Sequence, residues 1–418
     1  MKEILEKSNL QIGPGSKVIL WVFVIAGLLM FIVGLAVGNA ERTWEAFLIN
    51  TVFWGGMAQA GVILAAIWQV TDAKWSRPFK RLAEAFGSFL PVSFFMFVLV
   101  FFGAGSLYEW VENPIPAKAA YLNLGFFITR NVIGFLLMYG ISFFFLMASL
   151  KPDLGLARQL IPKWGDGFAD WVLEGYDDHD TEVIRLEQLS RRLAPILIMV
   201  YVLVTSMVAF DYVMSLDQEW FSTLFGVYFI FGHIYTALAM LLILVAWARR
   251  MPLLSDYMTI NRYHDLAKFT FAFALGWTYM IFSQYLVIWY SNLPEETPYL
   301  VTRSLPGTPW YPIFWTLFVV LFLFPFLGLM ARTVCRIPAV AATVGAILLL
   351  GQWGAHYMLV VPSIQDRHGD PIAFFGFHEI LLTVGFGGAF FLCYFAFISR
   401  VPILPISDKH LHKTWHGH

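Results

Sequence analysis

The chain is poor in charge and in cysteine for its length of 418 residues. Charged side chains make up 13% of it, apolar side chains 59%, and the formal net charge is −1. This composition is typical of a membrane protein, and a net charge near zero gives no indication of nucleic-acid binding. The two cysteines, Cys335 and Cys393, are far apart in the sequence. They therefore predict neither a disulfide framework nor a cysteine-ligated metal cluster.

The chain also lacks features that a redox enzyme with its own cofactors would need. A Cys-x-x-Cys-His sequence is missing, which excludes covalent c-type haem attachment, and two distant cysteines cannot hold an iron–sulfur cluster. The longest polar stretch, residues 151–191, is too short to form a soluble domain. Any chemistry with a water-soluble partner would have to be carried by another subunit.

Ten long apolar runs dominate what is present. Each reaches the ~20 residues that cross a bilayer core as a helix, so we predict an all-α membrane protein with ten transmembrane helices. The first run lacks a small-residue cleavage site and is expected to be a retained helix. The runs span residues 17–38, 46–70, 83–108, 121–150, 192–213, 221–247, 267–290, 310–330, 338–361 and 376–399.

Positive charge alternates between the connections. Of the 27 Lys and Arg residues, 22 lie at the two termini and in every second connection, 4 lie in the remaining connections, and Arg130 lies inside a run. Because positively charged connections stay in the cytoplasm, both termini are predicted to be cytoplasmic.

A faint internal repeat suggests how the helices are grouped. The third helix opens with Arg81-Leu82-Ala83-Glu84 and the seventh with Asp265-Leu266-Ala267-Lys268. This shift of four helices predicts two four-helix bundles, at 46–213 (helices 2–5) and 221–361 (helices 6–9), plus two flanking helices. The cytoplasmic connection 151–191 is interpreted as a solvated loop with a surface helix around 181–192. A metal site in its acidic run 177–180 is the alternative.

Several polar residues fall inside the apolar runs, mainly in the outer halves of the helices. An ionisable group costs ~2.5–3.5 kcal/mol at the bilayer centre on insertion scales. The cluster predicts a proton path or a pocket for a quinone head group, and ordinary hydrogen bonding between helices is the alternative. The cytoplasmic halves of the same helices hold almost nothing comparable. The candidates are Arg130, Asp211, His233, Gln284, Gln352, His356, His378 and Glu379.

Two pairs among these candidates have specific alternatives. Arg130 and Asp211 lie on consecutive helices, so they form either a structural ion pair or a site where the arginine binds a ligand. His233 lies ~18 Å into its run and His356 ~8 Å from the outer end of its own. That difference in depth argues against one haem shared by both, and we predict that the chain binds neither haem nor metal.

Two segments are distinctive. One runs Asp211-Tyr212-Val213-Met214-Ser215-Leu216-Asp217-Gln218-Glu219-Trp220-Phe221-Ser222-Thr223-Leu224-Phe225-Gly226, and the other runs Phe282-Ser283-Gln284-Tyr285-Leu286-Val287-Ile288-Trp289-Tyr290-Ser291-Asn292-Leu293-Pro294-Glu295-Glu296-Thr297. In a ten-helix chain they resemble the F-type subunits of bacterial alternative complex III, within the NrfD-like (polysulfide-reductase) family of membrane subunits. The matching motif positions include Ser283, Trp289, Asn292, Glu295 and Glu296, without an established catalytic role.

The resemblance implies a place in a respiratory complex of the bacterial cytoplasmic membrane. Such a complex oxidises menaquinol or a related quinol and passes electrons to iron–sulfur clusters and c-type haems on partner subunits, beside a second NrfD-like subunit. The F-type subunit holds no redox centre, is not catalytic alone, and contributes a proton path or part of a quinone site. A structural anchor for peripheral redox subunits is the alternative. A secondary transporter is disfavoured because Pro91 and Pro325 have no partners at matching positions in the two repeats.

Overall fold

The computed structural model describes residues 12–162, 164–365 and 375–408, together with residues 5 and 411. All regular structure in this part of the chain is helical. Ten helices are long and apolar enough to cross a membrane, as predicted from the ten runs. In chain order, α1 to α10 are Pro14–Ala36, Ala40–Val70, Lys74–Leu107, Leu124–Leu160, His179–Leu216, Phe225–Ala248, Ile260–Ser291, Tyr311–Met330, Pro338–Gln365 and Phe377–Ile398.

The connection between α4 and α5 is shorter than the sequence indicated. Residues 181–192, expected as a separate surface helix, are the first turns of α5, and α4 continues to Leu160. Asp178 starts α5 by accepting hydrogen bonds from the Thr181 amide at 3.1 Å and hydroxyl at 2.8 Å, which lower the pKa of that carboxyl. A helix needs apolar residues only within the bilayer, so both helices extend past their apolar runs into water.

α2 and α6 form the centre of the molecule. In α2, all residues of the most apolar stretch of 18 are buried. In α6, 83% of the corresponding stretch is buried. α2 packs on α3, α5 and α6, while α6 packs on α7 and α9; α4 packs on α5, and α8 lies beside α7 and α9. α2 packs on α9 and α10 as well, and the two four-helix bundles predicted at 46–213 and 221–361 stay a prediction.

α1 and α10 pack together on the flank of α2. They cross at Gly27 and Gly385, where a Cβ on Gly27 would lie 2.7 Å from the Gly385 Cα. Side chains at this crossing would push the two backbones apart. Small residues commonly allow such close crossings between membrane helices.

The connections lie on two opposite faces. A cleft on the first face is lined by residues from the ends of α3, α5 and α9 and from the segment after α7, including Glu109, Asp217 and Glu219. We call this the acidic face. A cavity on the second face is lined by residues from the start of α3, the end of α4, the start of α5 and the segment after α10, including Arg77 and Lys80. We call this the basic face.

Two spanning helices contain a widened, π-helical turn, at Ala209–Val213 in α5 and at Val319–Leu323 in α8. Such turns insert one extra residue into a helix and often occur at functional sites. The turn in α5 carries Asp211, which it directs into the protein interior.

Candidate functional site

His233 and His356 lie side by side in the interior, on α6 and α9. Their ring centroids are 5.6 Å apart and the rings are parallel within 7°. The Phe229 ring packs on both, with centroid distances of 4.5 Å to His233 and 5.8 Å to His356. Phe53 of α2 packs edge-on against His356 at 5.6 Å. Two titratable rings therefore share one aromatic environment.

The predicted difference in depth between these histidines is wrong. His233 is eight residues from the start of α6 at Phe225, and His356 is nine residues from the end of α9 at Gln365, or ~12–14 Å in each case. The apolar run 221–247 begins before α6 does, and the apolar run 338–361 ends before α9 does. These two offsets produced the false difference in depth. The absence of haem consequently loses this support and stays a prediction.

The hydrogen bonding of the pair is incomplete. Nδ1 of His356 lies 2.8 Å from the Gln352 carbonyl oxygen. A carbonyl only accepts, so this nitrogen carries the proton and donates it. Nε2 of His356 and both ring nitrogens of His233 have no hydrogen-bond partner among the described residues, although all three are buried. Buried polar atoms are normally satisfied, so unpaired ones indicate water, a ligand or a catalytic role.

Gln352 joins this group. Its side-chain amide is fully buried, and neither its oxygen nor its nitrogen has a partner in the described part of the chain. A Cβ built on Gly232 would lie 3.7 Å from Gln352 Oε1 and 3.3 Å from the Trp277 indole nitrogen. Glycine at this position thus leaves room for the Trp277 indole of α7, while the Gln352 amide of α9 lies at ordinary contact distance. We call His233, His356 and Gln352 the histidine cluster.

Gly56 of α2 completes the packing of the histidine cluster. A Cβ on Gly56 would lie only 2.2 Å from Nε2 of His233. The imidazole therefore rests directly on the backbone of α2, in space that every other amino acid would fill. This close approach holds the ring in place without a hydrogen bond.

Gln284 lies apart from the histidine cluster, in a cavity of about 110 Å³ near the acidic face. Its Oε1 accepts a hydrogen bond from the Ser222 hydroxyl at 3.1 Å, and its Nε2 lies 3.3 Å from the Met280 carbonyl oxygen. Trp277 lines the same cavity. The indole of Trp277 therefore lies between this cavity and the histidine cluster.

Arg130 and Asp211 form an ion pair. Arg130 donates from Nε to Oδ2 and from Nη2 to Oδ1 of Asp211, both at 2.7 Å. Asn131 Nδ2 and the Tyr121 hydroxyl donate to the same carboxylate at 2.6 and 2.9 Å. Burial, assisted by the Asp211 carboxylate, raises the pKa of Tyr121 to about 12, so this hydroxyl remains a donor. Of the two alternatives predicted for Arg130 and Asp211, the structure therefore contains the ion pair.

Glu379 forms a second, separate ion pair. It accepts from Arg42 Nε at 2.8 Å and Nη2 at 3.1 Å, and from the Gly376 amide at 2.7 Å. These contacts fix the start of α10 against the start of α2. The neighbouring His378 is partly exposed, and its Nε2 has no partner among the residues described.

The family-motif residues lie around the acidic-face end of α7. Asn292 ends the helix with a left-handed backbone, φ 47°, which asparagine tolerates better than most residues. Trp289 points outward with 64% of its surface exposed. Ser283 is partly buried, Glu295 is exposed, and Glu296 is buried just before the short helix Thr297–Ser304. These positions therefore shape a helix end rather than the histidine cluster.

A buried charge network near the basic face was not identified from the sequence. Arg81 binds Glu84 at 2.6 Å and also pairs with Asp153. Ser149 donates to Glu84 at 2.6 Å, and the Ser407 amide donates to Asp153 at 2.8 Å. Arg81 and Glu84 belong to α3, a helix that carries none of the eight candidates, and Asp153 lies beyond the apolar run 121–150. The i, i+3 spacing of Arg81 and Glu84 was the available signal.

Two further buried charged residues were not singled out. Glu45 of α2 is buried and lies 3.4 Å from Gln365 Nε2. Arg303, in the short helix Thr297–Ser304, donates to the Met358 and Tyr299 carbonyl oxygens at 3.0 and 2.9 Å. Both had been assigned to connections because they lie outside the apolar runs.

The candidates therefore occupy four places rather than one: the histidine cluster, the Gln284 cavity, the Arg130–Asp211 pair and the Arg42–Glu379 pair beside His378. Within the described residues, no group of three His, Cys, Asp or Glu side chains is placed to hold a metal. Comparison with protein-family models and with curated proteins found no match to the chain.

Proposed function

We propose that this chain is a membrane subunit of a quinol-oxidising respiratory complex, without a redox centre of its own. The resemblance of the segments 211–226 and 282–297 to F-type subunits supports this assignment. In the proposal the chain lies in the bacterial cytoplasmic membrane, its basic face and both termini are cytoplasmic, and a second related membrane subunit and lipids are its neighbours. Iron–sulfur clusters and c-type haems belong to partner subunits.

The observation that carries the proposal is the unsatisfied hydrogen bonding of the histidine cluster. Leaving buried polar groups unpaired costs ~1–3 kcal/mol each, so a purely structural core would replace them with apolar side chains. Imidazole can take up and release protons near neutral pH. We infer that His233 and His356 transfer protons within the complex, with Gln352 orienting water beside them.

The geometry limits how many protons the pair can carry. Two positive charges 5.6 Å apart would repel each other strongly in an environment of low dielectric constant. The pair therefore accepts one extra proton and not two. It acts as a single relay step, which needs a hydrogen-bonded donor on one side and an acceptor on the other.

Turnover of the whole complex tests this role. His233→Phe and His356→Phe keep an aromatic ring in each position and remove the titratable nitrogens. We expect both variants to assemble and to slow quinol oxidation or the associated proton movement, when turnover is normalised to intact complex. His264→Phe is the matched control, since this partly buried histidine lies outside the cluster, and it should retain full turnover.

The competing anchor function gives the opposite result. If the chain only anchors peripheral subunits, the His233 and His356 variants will change the amount of assembled complex but not the turnover per complex. That outcome would refute the proton-transfer role.

A transporter is disfavoured by the helix irregularities, because the widened turns lie in α5 and α8. In two repeats of four helices, α5 corresponds to α9 and α8 to α4, so the turns are unmatched.

A further inference from the structure

The connections on the basic face differ in their charge balance. Residues 71–84 and 151–192, at the ends of α2–α5, contain 10 Lys and Arg against 11 Asp and Glu. Residues 249–268 and 331–337, at the ends of α6–α9, contain six Lys and Arg against two Asp and Glu. The excess positive charge of these connections therefore lies at the ends of α6–α9.

The arginines of the two regions also differ in their partners. At the ends of α2–α5, Arg77, Arg81 and Arg158 bind carboxylates at 2.6–2.9 Å. At the ends of α6–α9, five arginines form no ion pair with another residue of the described chain. These five are Arg249, Arg250, Arg262, Arg332 and Arg336. Their positive charges are therefore available to an anion from outside the chain.

Arg249 is the arginine that most needs such an anion. It follows directly after α6 and is partly buried, and its Nε and Nη1 atoms are shielded from solvent without a hydrogen-bond partner among the described residues. Burial lowers the pKa of this guanidinium from its ordinary value, yet arginine stays charged in proteins. The negative end of the α6 dipole stabilises the charge but supplies no hydrogen bond. Since a buried charge is unfavourable unless it is paired, this side chain requires a negatively charged acceptor.

Tyr263 of α7 joins the elements that carry Arg249 and Arg336. Its hydroxyl lies 3.0 Å from the Leu242 carbonyl oxygen of α6 and 3.2 Å from the Pro338 carbonyl oxygen of α9. Leu242 precedes Arg249 by about two turns and so lies on the same face of α6. Arg336 comes just before Pro338, and its Nη2 donates to an asparagine oxygen at the start of α7 at 3.2 Å. Both arginines therefore lie at one junction, between α6, α7 and α9.

Exposed apolar side chains lie next to this junction. They are Leu327 and Met330 at the end of α8, and Ile337 and Val340 at the start of α9. The apolar runs end at residue 330 and resume at residue 338, so the connection between them lies at the edge of the bilayer core, at the level of the lipid head groups. A free anion would contact only the arginines. A phospholipid contacts the arginines with its head group and the apolar side chains with its acyl chains.

We propose that the junction of α6, α7 and α9 binds the head-group phosphate of an anionic phospholipid. Arg249 and Arg336 donate to the phosphate oxygens, because the guanidinium fork matches a phosphate, and Arg332 adds positive charge. The acyl chains lie along Leu327 and Val340. Basic pockets between transmembrane helices bind lipids of this class, and the phosphate supplies the acceptor that the buried nitrogens of Arg249 lack. This site is separate from the histidine cluster and takes no part in the proposed proton transfer.

Native mass spectrometry of the full chain, released from detergent micelles that contain a titrated lipid, tests the proposal. The probes are phosphatidylglycerol and phosphatidylcholine with identical acyl chains. We expect phosphatidylglycerol to bind roughly 10- to 100-fold more tightly. Arg249→Gln and Arg336→Gln should each weaken its binding roughly 5-fold. Arg332→Gln changes an exposed side chain and repeats the test at a position that folding does not need.

Arg191→Gln is the matched control. Arg191 is exposed at the start of α5 on the same basic face and pairs with Glu187, so its replacement should leave the affinity for phosphatidylglycerol unchanged. Excess inorganic phosphate should not displace the lipid, since it has no acyl chains, and circular dichroism verifies that each variant is folded.

Four results would overturn the proposal. They are equal affinity for the two lipids, an unchanged affinity for phosphatidylglycerol in all three site variants, an equal loss in Arg191→Gln, and displacement by inorganic phosphate, which would assign the arginines to a free anion. None of these measurements uses turnover, so the proton-transfer proposal is judged separately.

Discussion

The ion pair between Arg130 and Asp211 gives the most quantitative prediction. Asp211→Asn changes the shape of the side chain very little but removes its negative charge. The carboxylate accepts four hydrogen bonds, two at each oxygen, from Arg130, Asn131 and Tyr121. An amide replaces one of these acceptor oxygens with a donor. Two of the four donors then face another donor instead of an acceptor.

The expected loss follows from this count. A hydrogen bond to a charged group contributes ~1.5–3 kcal/mol, so two lost bonds remove ~3–6 kcal/mol. The side chain of Arg130 is only 8% exposed, and breaking a buried pair by removing one partner typically costs ~3–5 kcal/mol. Both routes agree, and we expect Asp211→Asn to lower the free energy of unfolding by about 3–5 kcal/mol.

Reversible unfolding in mixed detergent micelles, followed by circular dichroism, measures the effect. Glu187→Gln is the control, because its exposed pair with Arg191 should contribute less than ~1 kcal/mol. A third variant removes both charges with Arg130→Met and Asp211→Leu. It should be more stable than the sum of the two single losses predicts, since an apolar replacement of a buried pair is often neutral.

The reasoning would be refuted by two results. A loss below ~1 kcal/mol for Asp211→Asn, similar to a surface pair, would show that water reaches the carboxylate. Strict additivity in the double variant would show that the two side chains do not depend on each other. In either case the ion pair with Asp211 would no longer explain why Arg130 is buried. A ligand-binding role for Arg130 would then be the better interpretation.

Three further predictions concern packing, a helix end and topology. Gly56→Ala places a methyl group against the His233 ring and should destabilise the chain by about 1–3 kcal/mol. Gly140→Ala is the control, because its added atom meets nothing within 4 Å, and it should be neutral or slightly stabilising. Thermal unfolding in detergent compares the two variants. Asn292→Val should lose about 1–2 kcal/mol because a β-branched residue resists the left-handed backbone, and Asn292→Gly should not, in the same assay. A reporter fused after His418 should be active only in the cytoplasm, and periplasmic activity would contradict the assigned orientation.

The sequence alone determined the ten helices, because hydropathy over ~20 residues is a local property and the bilayer thickness is fixed. The alternation of Lys and Arg between connections is local as well, and it separates the acidic face from the basic face without reference to packing. Errors arose where helices leave the bilayer. α4 and α5 continue in water past their apolar runs, so their ends, and with them the connection 151–191, were misjudged.

The candidate residues could be named from the sequence but not grouped. Arg130 and Asp211 were considered as a pair because they lie on consecutive helices, and the structure joins them. His233 and His356 were separated by a depth estimate taken from run ends, although the helices place them in contact. Arg81, Glu84 and Asp153 were missed since charged residues near a run end look solvated in sequence, whereas neighbouring helices bury them.

The order of the polar groups along each helix is thus encoded in the chain, while their lateral contacts are not. A helix presents a new face every 100° per residue, and which face meets which neighbour depends on small residues such as Gly56 and Gly232 that allow close approach. Only the tertiary structure shows that His233 rests on the backbone of α2, and that Gln284 faces a cavity. The sequence identified the polar groups that lie within apolar runs. The packing of α2, α6, α7 and α9 decided which of them meet, because contacts between distant segments depend on the shapes of all the surfaces together.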